Sequence, residues 1–177
     1  RAIARSEARF RDLFEQAAVG MALLALDGTW LQVNETLADI LGRSPSELIQ
    51  TRCLDITASE DLGSGREMMR RRMNGDQKRC TKEKRYVKPD GTQVWVSLTL
   101  SIETDEDGEP LHFIAVIEDI SERKVAQAHL HALQRTLEQR VEERTEAIRV
   151  MAAKKHDREQ QMRSILQHAN DAFICID

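Results

Sequence analysis

Cysteines are the most reactive side chains in this sequence, and there are three of them, Cys53, Cys80 and Cys175. Zinc sites and disulfide frameworks use paired cysteines, typically at Cys-x-x-Cys spacing, and no such spacing occurs here. The odd count and wide separation predict neither a metal site nor a disulfide. They are typical of a protein in a reducing compartment.

His156 has the most suggestive surroundings of the histidines, Lys-Lys-His-Asp-Arg-Glu over residues 154–159. A kinase phosphoacceptor would resemble Ser-His-Glu-Leu-Arg-Thr-Pro, and the leucine and proline are missing. The sequence pairs no serine or cysteine nucleophile with a histidine, and no segment resembles a cyclic-di-GMP enzyme motif. We therefore predict no catalytic site in this chain.

Composition excludes several classes of partner. The 177 residues are 41% apolar and 32% charged, with a formal net charge of −4, so no basic field favours nucleic acid or an anionic membrane. No apolar run of about 18 residues favours a membrane span. The start has neither an initiator Met nor the apolar stretch of a signal peptide. We interpret the chain as part of a longer protein and expect it in the cytoplasm.

The elements that would position any site begin with an amphipathic helix over residues 1–16. Its apolar face is formed by Ile3, Phe10, Leu13 and Phe14. Two short apolar strands follow at 19–26 and 29–33. The Asp27-Gly28 turn between them predicts a hairpin.

Three short helices are predicted next from their capping residues. Asn34 is an expected N-cap, and Gly42 ends that helix. Ser44 and Glu47 form an expected capping box for the second helix, with proline between them at the first helical position. A third helix follows Ser59-Glu60-Asp61 and ends near Asn74-Gly75.

Three further strands are predicted at 79–87, 93–104 and 111–117, separated by turns that contain Asp-Gly. The middle strand alternates apolar and polar residues, as expected where one face is buried. Strands before and after a group of helices predict an α+β fold, with an antiparallel sheet that carries short helices on one face.

Two stretches of the sequence carry a family resemblance. The first is residues 10–16 with the apolar strand that follows. The second, which is more specific, is residues 86–96, with Asp90-Gly91 and Trp95-Val96, closed by Glu-Asp-Ile-Ser-Glu-Arg-Lys at 118–124. Over residues 8–124 the chain resembles the PAS family of sensory domains. The resemblance implies a five-stranded antiparallel sheet that encloses a pocket, and we assign it to residues 17–120.

Such a pocket would lie between the sheet and the short helices. We expect its wall among Met21, Leu23, Trp30, Leu37, Met69, Met73, Trp95, Val96, Phe113 and Ile117. An unknown small ligand is one reading of these residues. The other is that they fill the core and leave no pocket, and methionine-rich linings specify no ligand.

No cofactor is predicted. Light-sensing flavin relatives carry a motif like Asn-Cys-Arg-Phe-Leu-Gln; Cys53 falls at a comparable place, but Arg52 and Thr57 depart from the motif. Arg85 and Val96 stand where flavin-binding asparagines would be expected, so Cys53 is better read as a small buried residue. Haem-binding relatives carry a histidine on the helix before Asn74. That helix has none, and His112 lies on the last strand.

The strand-to-helix junction holds an acidic and a basic residue four apart, Asp119 and Arg123. An ion pair between them would set the direction in which the next helix leaves the sheet, and the resemblance implies that this is where a signal exits. The alternative is a solvated surface pair that contributes little.

Residues 121–168 contain no glycine or proline and predict one long helix. Its apolar seam is Ala126, Leu130, Leu133 and Leu137, continued by Val141 and Ile148 after a shift that indicates a stutter. We expect a parallel coiled-coil homodimer, the alternative being a single solvated helix. Residues 137–145 are similar to linkers of bacterial sensor proteins.

Residues 162–169 repeat the pattern of 10–17, and 173–177 repeat that of 23–27. We interpret 169–177 as the start of a second PAS domain, which without its sheet should be disordered or continue as helix. A chance likeness between amphipathic helices is the alternative.

The first hypothesis is therefore a sensory input module. It would detect a small ligand or protein signal and pass it through the dimeric helix to a downstream PAS domain and an output domain, either a histidine kinase or a cyclic-di-GMP enzyme. The alternatives are a purely structural dimerisation module with a filled core, and a haem or flavin redox sensor.

Overall fold

A computed structural model describes residues 2–49, 51–74 and 79–174. The chain divides into two compact units, Arg1–Val125 and Ala126–Asp177. The first contains the sheet and its helices, and the described residues of the second, 126–174, are helical. In the described ranges, no helix is both long and apolar enough to cross a membrane.

The first unit carries four α-helices before the junction, and their order follows the predicted one. They are α1 (Ala2–Glu15), α2 (Glu35–Leu41), α3 (Pro45–Leu48) and α4 (Leu62–Met73), with a single 3-10 turn at Ser59–Asp61 before α4. Asn74 ends α4 as predicted, while Gly75 lies outside the described residues.

The five strands form one antiparallel sheet, which confirms the predicted α+β fold. They are β1 (Gly20–Leu24), β2 (Trp30–Val33), β3 (Arg79–Val87), β4 (Gln93–Thr104) and β5 (Pro110–Asp119). Their spatial order is β2-β1-β5-β4-β3, so the first hairpin lies beside the last strand. This order places the carboxyl end of β5, where the long helix starts, next to β4.

Local signals account for the turns between these elements. Gly28 adopts φ 87° in the first hairpin and Gly42 adopts φ 65° at the end of α2, a backbone region that favours glycine. Ser44 and Glu47 make both halves of the predicted capping box on α3.

The core lies between the inner face of the sheet and the short helices. On β4 the alternation holds as predicted, since Val94, Val96, Leu98 and Leu100 are all buried. Lys84 is also buried on the neighbouring strand β3. Among the described residues, Lys84 is the buried cation of the inner face, within a mostly apolar layer.

The long helix α5 spans Ser121–Ile174 and so continues past the predicted end at residue 168. Phe173 and Ile174, interpreted as the start of a second PAS domain that without its sheet would be disordered or helical, continue the helix, and residues 175–177 lie outside the described residues. The six seam residues belong to the second unit, and the large ones among them are exposed in the single chain: Leu130, Leu133, Leu137, Val141 and Ile148.

Candidate ligand cavity and signal-exit junction

A small cavity lies in the first unit between the inner sheet face and α4. Its volume is about 20 Å³, which accommodates about one water molecule. All five strands contribute to its wall. The lining residues are Leu24, Trp30, Cys53, Leu54, Gly65, Met68, Met69, Lys84, Tyr86, Leu98, Leu100, Phe113 and Ala115.

Lys84 is the cationic residue of this cavity and is only 2% exposed. Its Nζ donates a hydrogen bond to Thr57 Oγ1 at 3.3 Å and lies 4.1 Å from the centre of the Tyr86 ring. Burial lowers the pKa of Lys84 to about 8, because the ammonium loses its hydration. Lys84 is nevertheless mostly charged at neutral pH.

Two further polar side chains border the same space. Trp30 is 1% exposed, and its Nε1 has no hydrogen-bond partner within the described residues. Cys53 is buried as predicted, and burial raises the pKa of its thiol, so it is neutral at pH 7. The cavity thus presents hydrogen-bond donors in apolar surroundings.

Three of the ten predicted pocket residues line the cavity, Trp30, Met69 and Phe113. Three others, Leu37, Val96 and Ile117, are fully buried in the core without bordering the cavity.

The remaining four predicted pocket residues lie elsewhere. Met21 and Leu23 alternate with the core residues of β1, and Trp95 alternates with those of β4, so they face the opposite side of the sheet. Met73 is 45% exposed near the end of α4. Because successive residues of a strand point to opposite faces, Trp95 and Val96 cannot share one wall.

Sequence reasoning missed Lys84, because β3 reads as a polar strand, Arg-Cys-Thr-Lys-Glu-Lys-Arg. One signal could have found it: Lys84 is two residues before Tyr86, so both side chains lie on the same face of the strand. Other residues considered for cofactor chemistry lie outside the cavity. Arg85 pairs with Asp61 (Nε to Oδ2, 3.0 Å), and His112 contacts Glu103 (Nε2 to Oε2, 2.9 Å).

The junction between β5 and α5 is held by residues of β3 and β4. Glu83 forms salt bridges with Arg123, at 2.8 Å, and with Lys124. These two cations hold the pKa of Glu83 below its usual range, Lys124 contributing most. Both Lys124 Nζ and Arg85 Cζ lie close to the Trp95 ring, at 4.7 and 5.1 Å from its centre.

The predicted ion pair between Asp119 and Arg123 is absent from the part of the chain that the structure describes. Asp119 Oδ1 instead accepts a hydrogen bond from Ser121 N at 2.8 Å, which satisfies a free donor at the start of α5. Arg123 reaches Glu83 on β3. Backbone bonds add to this anchor, with Ile120 N donating to Trp95 O at 2.9 Å.

The fold agrees with comparison to known proteins. Residues 18–122 match the family profile described as PAS domain, which covers more than half of the chain. This protein therefore belongs to the PAS domain family, a family of sensory modules.

Two curated relatives and one solved structure illustrate the likeness. The chain is 40% identical over 122 residues to the probable diguanylate cyclase DgcE of Escherichia coli (strain K12), covering 69% of the chain and 11% of the relative. It is 26% identical over 138 residues to the sensor histidine kinase TmoS of Ectopseudomonas mendocina, covering 78% of the chain and 14% of the relative. The PAS domain of an HTR-like protein from Haloarcula marismortui superposes with a TM-score of 0.56 at 25% identity, covering 67% of this chain and 95% of that one. The chain thus spans a small part of each curated relative.

Proposed function

We propose that this chain is a sensory input module, in which a change at the inner face of the sheet alters the start of α5. The helix carries that change, through a parallel coiled-coil dimer, to a downstream output domain of the same protein. The place of action is the cytoplasm.

One observation carries this proposal: strand β3 contributes side chains both to the cavity and to the junction with α5. Lys84 points to the cavity, while the preceding residue, Glu83, binds Arg123 and Lys124 in the first turn of α5. Arg85, the next residue, contacts the Trp95 ring on the outer face of the sheet. Because side chains alternate along a strand, a shift that accommodates a ligand at Lys84 displaces the neighbours that hold the helix.

The names of the relatives support the kind of output. One is a probable diguanylate cyclase and the other a sensor histidine kinase. A PAS domain followed by a helix would serve as the input module for either class of enzyme. We propose one of these two enzyme classes as the output, with a second PAS domain before it.

A purely structural dimerisation module is the second candidate, and the small cavity volume favours it. A cavity of about 20 Å³ is far below the several hundred cubic ångströms of ordinary ligand pockets. The same volume disfavours the haem and flavin alternatives, which need a much larger space.

A double-mutant cycle separates sensing from pure structure. Hydrogen exchange of the α5 amides over residues 121–130 would be measured by mass spectrometry in K84M, E83Q and the double variant. We expect K84M alone to change this exchange by a factor of about 1.4 to 5, which is the factor that ion pairs of about 0.2–1 kcal/mol would produce. Adding E83Q should abolish the effect of K84M, since the connection through β3 is then lost.

Glu118 provides the matched control, because it is an exposed glutamate on β5 for which the described residues show no salt bridge. The effect of K84M should persist in an E118Q background. If K84M leaves the exchange of α5 unchanged while the fold is intact, the cavity is not coupled to the helix, and the structural module is the better reading.

A further inference from the structure

The cavity contains an ammonium group without a carboxylate partner. Among the described residues, no carboxylate forms a salt bridge with Lys84. Asp61 is a carboxylate whose charge partly offsets the lowering of the Lys84 pKa by burial. It is already bound by Arg85, whose Nε and backbone N donate to it at 3.0 and 2.8 Å. A buried cation without a counter-charge is costly unless something else supplies the charge.

The hydrogen bonds of Lys84 are also incomplete. An ammonium has three N–H donors; one goes to Thr57 Oγ1, and the face of the Tyr86 ring takes a weaker contact. The Thr57 hydroxyl donates to Cys53 O at 2.7 Å, so it is already oriented as an acceptor toward Lys84. Trp30 Nε1 adds a second buried donor that has no partner in the described ranges.

The two polar groups with unused capacity described above, Lys84 Nζ and Trp30 Nε1, are donors on residues of the cavity wall, and most of the wall is apolar, including Leu98, Leu100 and Phe113. A ligand that fits this chemistry has a negatively charged acceptor group and a short apolar part. We infer that the cavity is the binding site of a short-chain monocarboxylate, whose carboxylate pairs with Lys84 and accepts from Trp30. This inference rests on the proposed sensory function and adds the chemical class of its ligand.

The size of the cavity limits the ligand and locates the movement that admits it. A volume of about 20 Å³ holds one water, so a two- or three-carbon acid requires side chains to move. Met68 and Met69 on α4 form part of the wall, and methionine adapts to new shapes readily. Binding therefore displaces α4 side chains to open the space, and the pairing of the ligand with Lys84 acts on β3.

The probes are formate, acetate and propionate, each compared with its neutral amide at constant ionic strength and pH 7. Dissociation constants are measured by calorimetry, and the shift in Tm is recorded alongside. We expect the acids to bind and raise the Tm, and the amides to bind at least about tenfold more weakly, since their neutral carbonyl accepts a weaker hydrogen bond from the Lys84 ammonium than a carboxylate does.

Two substitutions test the assigned residues. K84M should weaken carboxylate binding at least about tenfold. The control K82M, an exposed lysine two residues earlier on β3, should leave it unchanged. W30F retains an aromatic ring without the N–H donor. It should weaken binding by a smaller factor than K84M and serves if K84M fails to fold.

Equal binding of acids and amides, unaffected by K84M, would overturn the carboxylate assignment and leave the sensory proposal intact. If none of the six probes binds at tens of millimolar, the carboxylate assignment is overturned as well. In that case the exchange cycle of K84M and E83Q decides the sensory function separately.

Discussion

Lys84 shows how the position of one residue on a strand determines its role. Its neighbours Glu83 and Arg85 bind partners on the outer side of the sheet, whereas Lys84 is held in the core beside Tyr86, Thr57 and Cys53. Burial of the apolar core stabilises the folded protein, whereas burial of the Lys84 ammonium lowers its stability. A residue that costs stability in this way is a candidate for function rather than packing.

The pH dependence of stability should reveal this cost. The folded pKa of Lys84 is about 8, below the ordinary 10.5, so between these values the unfolded chain binds more protons and stability rises with pH. Relative to K84M, the wild-type protein should gain about 2 kcal/mol of unfolding free energy from pH 7 to pH 9.5.

Urea unfolding of both proteins at each pH measures this difference. The comparison is needed because burial raises the pKa of Cys53 and Tyr86, and those groups lower stability as pH rises past their unfolded values. These contributions are largely shared by the two proteins. A difference that does not change with pH would mean that Lys84 is not buried as a cation.

At the scale of elements, Asn34 joins three of them. The sequence predicts it as the N-cap of α2, and its Oδ1 indeed accepts from Leu37 N at 3.0 Å. The same oxygen accepts from Met21 N in β1, and its Nδ2 donates to Phe14 O and Val19 O. Asn34 is fully buried; its bonds with Leu37 N and Phe14 O are buried, and those with Met21 N and Val19 O are part-buried.

Replacing this residue should therefore cost more than an ordinary helix cap. We expect N34A to lower the unfolding free energy by roughly 3–5 kcal/mol, since four bonds are lost and their partners stay buried or part-buried. The matched variant S44A removes an exposed cap and should cost about 1 kcal/mol. Thermal and urea unfolding give both values, and equal costs would show that water replaces the bonds of Asn34.

At the scale of the whole molecule, the unpartnered feature is the apolar seam of α5. Large side chains such as Leu130, Leu133 and Leu137 are exposed at heptad spacing in the second unit. An isolated helix gains nothing from this pattern, whereas two copies in parallel bury it. We propose the dimer on this ground, as the form in which a change at the junction reaches an output domain.

Dimerisation should depend on the seam alone. L133K places a charge at the centre of the interface in both copies and should raise the dimer dissociation constant at least about a hundredfold. Q134K changes the next residue, which lies off the seam, and should leave the constant nearly unchanged. Sedimentation velocity measures both. A monomeric wild-type protein at micromolar concentration would contradict the proposed dimer.

The sequence alone determined the order and type of the elements, because those depend on local physics. The period-2 pattern of β4, the caps at Asn34 and Ser44, and the glycines at 28 and 42 each act within a few residues, and the structure confirms them.

Only the tertiary structure decided the site. Which face of a strand becomes the inner one depends on the other strands and helices, so a polar strand such as β3 gives no local sign that Lys84 is buried. Glu83 and Arg123 lie 40 residues apart, and the order of the sheet brings them together. The nearer partner, Asp119, bonds instead to the start of α5, where the first backbone N–H groups of a helix lack partners.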